Sequence, residues 1–191
     1  MFDDLRPAHR RALAAADALV ARVGPDDLSR PTPCVGWDLG TLLAHMVGQH
    51  RGFAAAVRDG DAPAAAYAPV SWTPAAWAAS AADLLAAFAA ADLAAEVVEV
   101  ELRTHPLPVA FLVEAHLLDT VVHSWDVATA LGEYYEPAPD LVDHVARAAA
   151  RIPESARTRP GAPFSPSLSA GSNAWERTLA LLGRRVPAVP T

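Results

Sequence analysis

The apolar segment from Val109 to Leu131 limits what this chain can fold into more than any other part of the sequence. Pro106 and Pro108 precede it and Gly132 follows it, so a single long helix can begin and end at these residues. The whole sequence is 52% hydrophobic, rich in alanine and leucine, and only 7% aromatic, a composition that favours helix over sheet. We therefore predict a mostly α-helical protein.

Five other segments carry apolar residues at helical spacing between recognisable start and stop signals. The first ends at Gly24, which a proline follows, and Asp38 is placed to cap the second. The predicted helices cover about residues 5–23, 39–57, 74–91, 139–152 and 175–182. Residues 60–71 are predicted to form a linker, and the weak alternation over residues 97–102 fits either a short extended segment or a loop.

The length of 191 residues predicts one domain that is large enough to bury a substantial core. We expect this single domain to span residues 1–191. Within it, residues 153–191 are rich in proline, serine, glycine and arginine and are predicted to form an irregular C-terminal arm that ends in a short helix.

The charge pattern argues against a nucleic-acid-binding protein. The formal net charge is −7, and all 15 basic residues are arginines that do not cluster beyond pairs. The chain begins with acidic residues, and no charge-free apolar stretch reaches the roughly 18 residues that a membrane span needs, so a membrane partner is not expected. The single cysteine, Cys34, excludes an internal disulfide and is typical of a reducing compartment, so we expect a cytoplasmic protein.

Asp119 and His123 lie four residues apart on the predicted long helix, a spacing that places both side chains on one face. His116 and Asp126 fall within the same arc of about 80°. A solvent-exposed face is one interpretation, but such faces usually carry long flexible side chains, whereas this one has short carboxylates and imidazoles. If the arc is enclosed, these groups must pair with one another or bind a ligand. With His45 from an upstream helix, Asp119 and His123 would form the minimum set for a catalytic metal with an open position.

The helix that carries His45 offers further candidates. His45 lies at the border of its apolar stripe, where a structural histidine is the alternative to a ligand. Gly48 and Gly52, in the middle of the same helix, predict a close approach by another helix. His50 lies nearer the centre of the stripe and is interpreted as a core or pocket-lining residue. His116 is interpreted as a ligand, a partner that orients a ligand, or a pocket wall.

The remaining histidines and the cysteine give weaker signals. Cys34 precedes a predicted helix, where a thiol pKa can be lowered, but packing is favoured over a nucleophilic role. Trp37 is expected to pack near the site. His9, His105 and His144 have no partner that the sequence reveals.

Three stretches of the chain resemble a known family. Residues 32–45, TPCVGWDLGTLLAH, resemble the opening of actinobacterial proteins related to the N-terminal domain of mycothiol-dependent maleylpyruvate isomerase. Residues 122–132, VHSWDVATALG, resemble a later segment of the same proteins, and residues 179–185, LALLGRR, resemble the tail of one subgroup. The three stretches occur in the expected order and together span most of the chain.

The resemblance implies the DinB/YfiT-like fold, an all-α four-helix bundle with a divalent metal held between helices. In the isomerase the ligands are two histidines and a glutamate four residues before the second histidine. The matching positions here are His45, Asp119 and His123. Aspartate is shorter than glutamate by one methylene, so its carboxylate would have to lie closer to the ion. The resemblance concerns the N-terminal domain of the isomerase, so it does not extend to substrate recognition.

We therefore expect a divalent-metal-binding protein that acts as a mycothiol-dependent thiol transferase or isomerase on a small molecule. Imidazole and carboxylate ligands favour zinc, with nickel or iron as alternatives. His116 or Asp126 could orient a histidine ligand by bonding to the ring nitrogen that the metal does not use. The alternative function is a non-catalytic ligand-binding or stress-response module. The polar face of the long helix could also lie at a homodimer interface instead of lining a pocket.

Overall fold

The computed structural model describes residues 3–99, 106–157, 165–169 and 171–186. These residues form six α-helices, which are α1 Arg6–Val20, α2 Leu39–Asp59, α3 Pro74–Ala90, α4 Val109–Leu131, α5 Pro139–Ala150 and α6 Ala174–Leu181. The strands found among the same residues are short, namely β1 Asp61–Ala62, β2 Glu96–Glu99 and β3 Leu107–Pro108. The prediction of an all-α, DinB-like helical bundle is confirmed.

Capping residues set ends of α2, α3 and α4. Asp38 accepts a hydrogen bond of 2.8 Å from the Thr41 amide at the start of α2, and Thr73 caps α3 in the same way. Gly60 and Gly132 adopt the left-handed conformation and end α2 and α4. The predicted bounds of α2, α3 and α4 therefore agree with the structure to within two residues.

Residues 1–134 and residues 135–191 form two compact units. In the first unit α4 packs against α1 and α2, and α2 packs against α3, so that four helices share one core. In the second unit α5 packs against α6. A single domain with residues 153–191 as its arm stays a prediction, and residues 158–164, 170 and 187–191 lie outside the described residues.

Helix α4 is the central element of the first unit. The side chains of Leu112, Val113, Leu117, Val121 and Val122 are each at most 1% exposed. Removing each of them from water stabilises the fold by about 1.5–3 kcal/mol, which explains why this segment is so apolar. No helix within the described residues is both long enough and apolar enough to cross a membrane.

A small sheet joins the segments that flank α2 and α4. β1 pairs with β2 in parallel, with Asp61 opposite Val98. β2 pairs with β3 in antiparallel orientation, with Val97 opposite Leu107. The extended alternative for residues 97–102 therefore holds for the strand Glu96–Glu99, while residues 100–102 lie outside the described part of the chain. The predicted linker at residues 60–71 contains β1 and a single turn of 3₁₀ helix, Ala64–Tyr67.

The two glycines in the middle of α2 allow this 3₁₀ turn to lie directly on the helix. A Cβ atom added at Gly48 would lie 2.6 Å from the carbonyl oxygen of Tyr67 and 2.7 Å from that of Ala68. A Cβ atom at Gly52 would overlap the Tyr67 ring. The close approach that the glycines predicted is therefore real, but the prediction that another helix makes it was wrong.

Substituting Gly48 with alanine is expected to lower the free energy of unfolding by about 1–3 kcal/mol. The added methyl group meets backbone carbonyls, which cannot move without displacing the turn, and this cost exceeds the gain of about 1 kcal/mol in helix propensity. Urea unfolding followed by circular dichroism measures the difference. Arg51→Ala, at an exposed position of the same helix, is the control and should change stability by less than about 0.5 kcal/mol. A Gly48→Ala protein as stable as the wild type would contradict this packing.

Candidate metal centre

Three side chains from two helices converge in the first unit. His45 comes from α2, and Asp119 and His123 come from successive turns of α4. Nε2 of His123 lies 3.3 Å from Oδ1 of Asp119, and Nε2 of His45 lies 4.0 Å from the same oxygen. One ligand atom from each residue lies within 4.8 Å of the other two. The structure thus brings together the three residues that the sequence singled out.

These distances agree with the dimensions of a zinc site. For tetrahedral zinc, bonds of about 2.0–2.2 Å to nitrogen and oxygen place neighbouring ligand atoms about 3.3 Å apart. The separation of 3.3 Å between His123 and Asp119 already matches this value, and Nε2 of His45, 4.0 Å from Asp119, would have to move closer by about 0.7 Å. The shorter aspartate side chain reaches the other ligands because Asp119 and His123 share one face of α4. The residues present therefore fit a divalent ion.

Solvent can reach this set from one side. The side chains of His45 and Asp119 are 22% and 24% exposed, whereas that of His123 is 10% exposed. The rest of the polar arc is not a solvent face, because His116 is 1% exposed and Asp126 is fully buried. Three protein ligands with partial exposure leave room for a further ligand, as in catalytic metal sites.

The opposite charges of Asp119 and His123 dominate the electrostatics of the three ligand candidates. Burial alone would lower the pKa of His123, but the charge of Asp119 and hydrogen bonds to neighbouring side chains raise it well above its ordinary value. Burial would raise the pKa of Asp119, but the charge of His123 and hydrogen bonds from both histidines hold it well below its usual range. A divalent cation must therefore displace a proton from His123 in order to bind.

The other ring nitrogen of His123 faces a second carboxylate. Nδ1 of His123 donates a hydrogen bond of 2.9 Å to Oδ2 of Asp126, which has no solvent exposure. The Cys34 thiol donates to the same oxygen at 3.2 Å, and its sulfur lies 3.9 Å from Nδ1 of His123. A carboxylate in this position holds the proton on Nδ1 and directs the Nε2 lone pair toward the ligand set.

An aromatic side chain forms part of the wall next to His45. The rings of Trp37 and His45 are tilted against each other with centroids 4.9 Å apart. An open cleft beside Trp37 is lined by polar side chains that include Thr32, Asp38 and Thr41. Trp37 thus lines this cleft and also contacts one of the ligand candidates, His45.

The structure places the two other predicted histidines in a separate, fully buried cluster. Nδ1 of His116 lies 2.9 Å from Nε2 of His9 and 3.0 Å from the Thr120 hydroxyl. Nδ1 of His50 lies 3.0 Å from the Ser80 hydroxyl. The rings of His50 and His116 are 5.4 Å apart, and neither histidine joins the ligand atoms of the metal set.

Two residues of this region were missed or misjudged from the sequence. Cys34 contacts Asp126 and His123, although the sequence favoured simple packing. The only available signal was its place in the TPC motif of the resemblance. His9 joins the histidine cluster, and no sequence signal linked it to His116, which lies 107 residues away. His105 lies outside the described residues.

The chain is similar to a known protein family and to mycobacterial proteins. The family model described as the mycothiol maleylpyruvate isomerase N-terminal domain matches residues 9–128, a range that includes all three ligand candidates. Uncharacterized protein Rv0738 of Mycobacterium tuberculosis is 33% identical over 159 residues, which cover 83% of this chain and 84% of that protein. Uncharacterized protein Rv0036c of the same organism is 29% identical over 170 residues, covering 78% of this chain and 66% of its own length. No solved structure matches the chain significantly.

Proposed function

The chain belongs to the mycothiol maleylpyruvate isomerase N-terminal domain family, and from this premise we propose that it is a metal-dependent thiol transferase or isomerase that uses mycothiol on a small molecule. One observation carries the proposal. His45, Asp119 and His123 converge within 4.8 Å inside the stretch that the family model matches. A buried structural network would not require that two of these side chains stay partly open to solvent.

The ligand set favours zinc among the common divalent ions. Two imidazoles and one carboxylate suit zinc, and nickel or iron are the alternatives with the same ligands. When bound, the ion supplies Lewis acidity that lowers the pKa of a thiol or water in the open position.

The protein's own residues set the conditions for this chemistry. Asp126 holds the proton of His123 on Nδ1, so that Nε2 is presented to the ligand set. Trp37 packs against His45 and shields one side of it from water. The cleft beside Trp37 offers hydroxyl and carboxylate groups to a polar small molecule. We propose no nucleic-acid or membrane partner, since the net charge is −7 and basic clusters are absent from the sequence.

The proposal predicts that His45→Ala removes bound metal and thiol-dependent activity together. Metal content is measured by plasma mass spectrometry on protein purified without chelator or a nickel column, and consumption of mycothiol is followed with electrophilic small molecules. The wild type should carry close to one ion per chain, and the variant should lose most of it, because a catalytic site with three protein ligands cannot spare one. His144→Ala is the matched control, since it removes a histidine that is not a member of the ligand set.

The outcomes separate the enzyme from the alternative function. Loss of metal without change in any thiol-dependent reaction would favour the non-catalytic ligand-binding or stress-response module. A wild-type protein that neither contains metal nor takes up zinc, nickel or iron would overturn both the metal site and the reaction.

A further inference from the structure

We propose that Cys34, His123 and Asp126 form a second metal-binding site, for a strongly thiophilic ion such as Cd²⁺, on the opposite ring nitrogen of His123. The three ligand atoms are Sγ, Nδ1 and Oδ2, and all lie within 4.8 Å of one another. This site uses none of the atoms that face His45 and Asp119, and it does not depend on the proposed reaction.

The separations of these atoms are close to those of a tetrahedral site. Bonds of about 2.3 Å to sulfur and 2.0–2.2 Å to nitrogen or oxygen imply ligand separations of about 3.3–3.6 Å. In the structure Sγ lies 3.2 Å from Oδ2 and 3.9 Å from Nδ1, and Nδ1 lies 2.9 Å from Oδ2. Each distance needs to change by only a few tenths of an ångström. Changes of this size are comparable to what side-chain rotations produce on α4 and on the loop that carries Cys34.

The chemistry and position of the donors favour a soft divalent ion. Thiolate and imidazole ligands select zinc-like ions over magnesium or calcium, and a fully buried carboxylate supplies the negative charge that an enclosed cation requires. Cys34 is half-buried on the loop before α2, and the neighbouring Val35 is 90% exposed, so an ion can reach the sulfur from solvent. As the metal–sulfur bond forms, the thiol proton leaves to solvent.

The two sites share one imidazole, so they compete with each other. An ion at His45 and Asp119 takes the Nε2 lone pair and leaves the proton on Nδ1, where Asp126 accepts it. An ion at Cys34 and Asp126 takes the Nδ1 lone pair and leaves the proton on Nε2, where Asp119 accepts it at 3.3 Å. Binding at one site therefore weakens binding at the other, and by linkage the effect is reciprocal.

Titration of the metal-free, full-length protein with Cd²⁺ tests this site. Thiolate ligation produces a ligand-to-metal charge-transfer band in the ultraviolet, and Cys34 is the chain's single cysteine. We expect the band in the wild type and in His45→Ala, which leaves the second site intact, with no more than one ion bound per chain. Cys34→Ser, which keeps a hydroxyl donor for Asp126, should lose the band while its circular dichroism spectrum stays that of the wild type.

Two results would overturn the inference. Absence of the charge-transfer band from both the wild type and His45→Ala, although Cd²⁺ binds, would show that Cys34 is only a hydrogen-bond donor to Asp126. A band that disappears in His45→Ala would show that the sulfur joins the first ligand set instead of a site of its own. Loss of zinc and activity in His45→Ala concerns the first site alone, so failure of the proposed function is distinguishable from failure of this inference.

Discussion

Acidification from pH 7 to pH 5 is expected to lower the free energy of unfolding of the metal-free protein by about 5 kcal/mol. The cause is the buried cluster of His9, His50 and His116, each 1% exposed. Burial lowers the pKa of His9 to about 3 and that of His50 to about 4. Burial and the neighbouring histidines lower the pKa of His116 well below its ordinary value. Burial therefore favours the neutral form of all three in the folded protein.

The direction of the effect follows from proton binding. In the unfolded chain these histidines titrate near pH 6.5, so below that pH the unfolded state binds more protons than the folded state. The contribution of these neutral histidines to the free energy of unfolding is fully present above about pH 6.5. It falls by about 2 kcal/mol per histidine by pH 5. His123 has the opposite effect, because its pKa is raised in the folded protein. Its stabilising contribution is complete below about pH 6.5, and between pH 7 and pH 5 it offsets less than about 1 kcal/mol of the loss. A loss of this size is comparable to the whole stability of a marginal domain, about 5 kcal/mol.

Urea unfolding at several pH values between 7 and 5, followed by tryptophan fluorescence and circular dichroism, measures this loss. His9→Phe removes one titrating ring but keeps an aromatic side chain against Phe88, to which His9 packs edge-on at 5.0 Å. The free energy of unfolding of this variant should depend on pH about one third less than that of the wild type. Equal slopes for the two proteins, or a wild type equally stable at both ends of the range, would contradict the buried neutral cluster.

Substituting His123 with alanine is expected to lower the free energy of unfolding by about 3–5 kcal/mol and to abolish metal binding at both proposed sites. His123 lies between Asp119 and Asp126, at 3.3 Å and 2.9 Å, and its positive charge compensates these carboxylates. Without it, the fully buried carboxylate of Asp126 loses its cationic partner inside the core. Few single substitutions in this protein should cost more, because removing one partner of a buried ion pair leaves an uncompensated charge.

A double substitution separates the effect of the buried Asp126 charge from the effect of the side-chain volume that His123→Ala removes. Adding Asp126→Asn to His123→Ala removes the buried charge at nearly constant volume, so it should recover part of the lost stability. Urea unfolding of the wild type, both single variants and the double variant forms a double-mutant cycle that measures the coupling. Additive effects of the two substitutions would show that the pair contributes little.

Measurements at pH 7 with and without zinc also show whether the stabilisation by metal, about 4 kcal/mol at a thousandfold excess over the dissociation constant, disappears in His123→Ala.

Local patterns predicted the helices well because their signals are short-range. Proline before α4, glycine after it and capping side chains before α2 and α3 act within one turn of the chain, so their effect can be read from neighbours in sequence. The small sheet was harder to predict, since its strands have two to four residues and give no usable periodicity. The sequence predicted that another helix packs on Gly48 and Gly52, where the structure has a single 3₁₀ turn. Glycines in the middle of a helix indicate a close approach but not which element makes it.

The sequence by itself determined the helical class of the protein and placed Asp119 and His123 on one face of a long helix, because helical geometry alone relates residues four positions apart. Only the tertiary structure decided which side chains surround them. Cys34 meets His123 across 89 residues of chain, and His9 meets His116 across 107. Such contacts depend on how loops and packed helices return the chain to the same place, and no local pattern encodes that path. For the same reason, only the fold shows that the two ring nitrogens of His123 face two different sets of ligands.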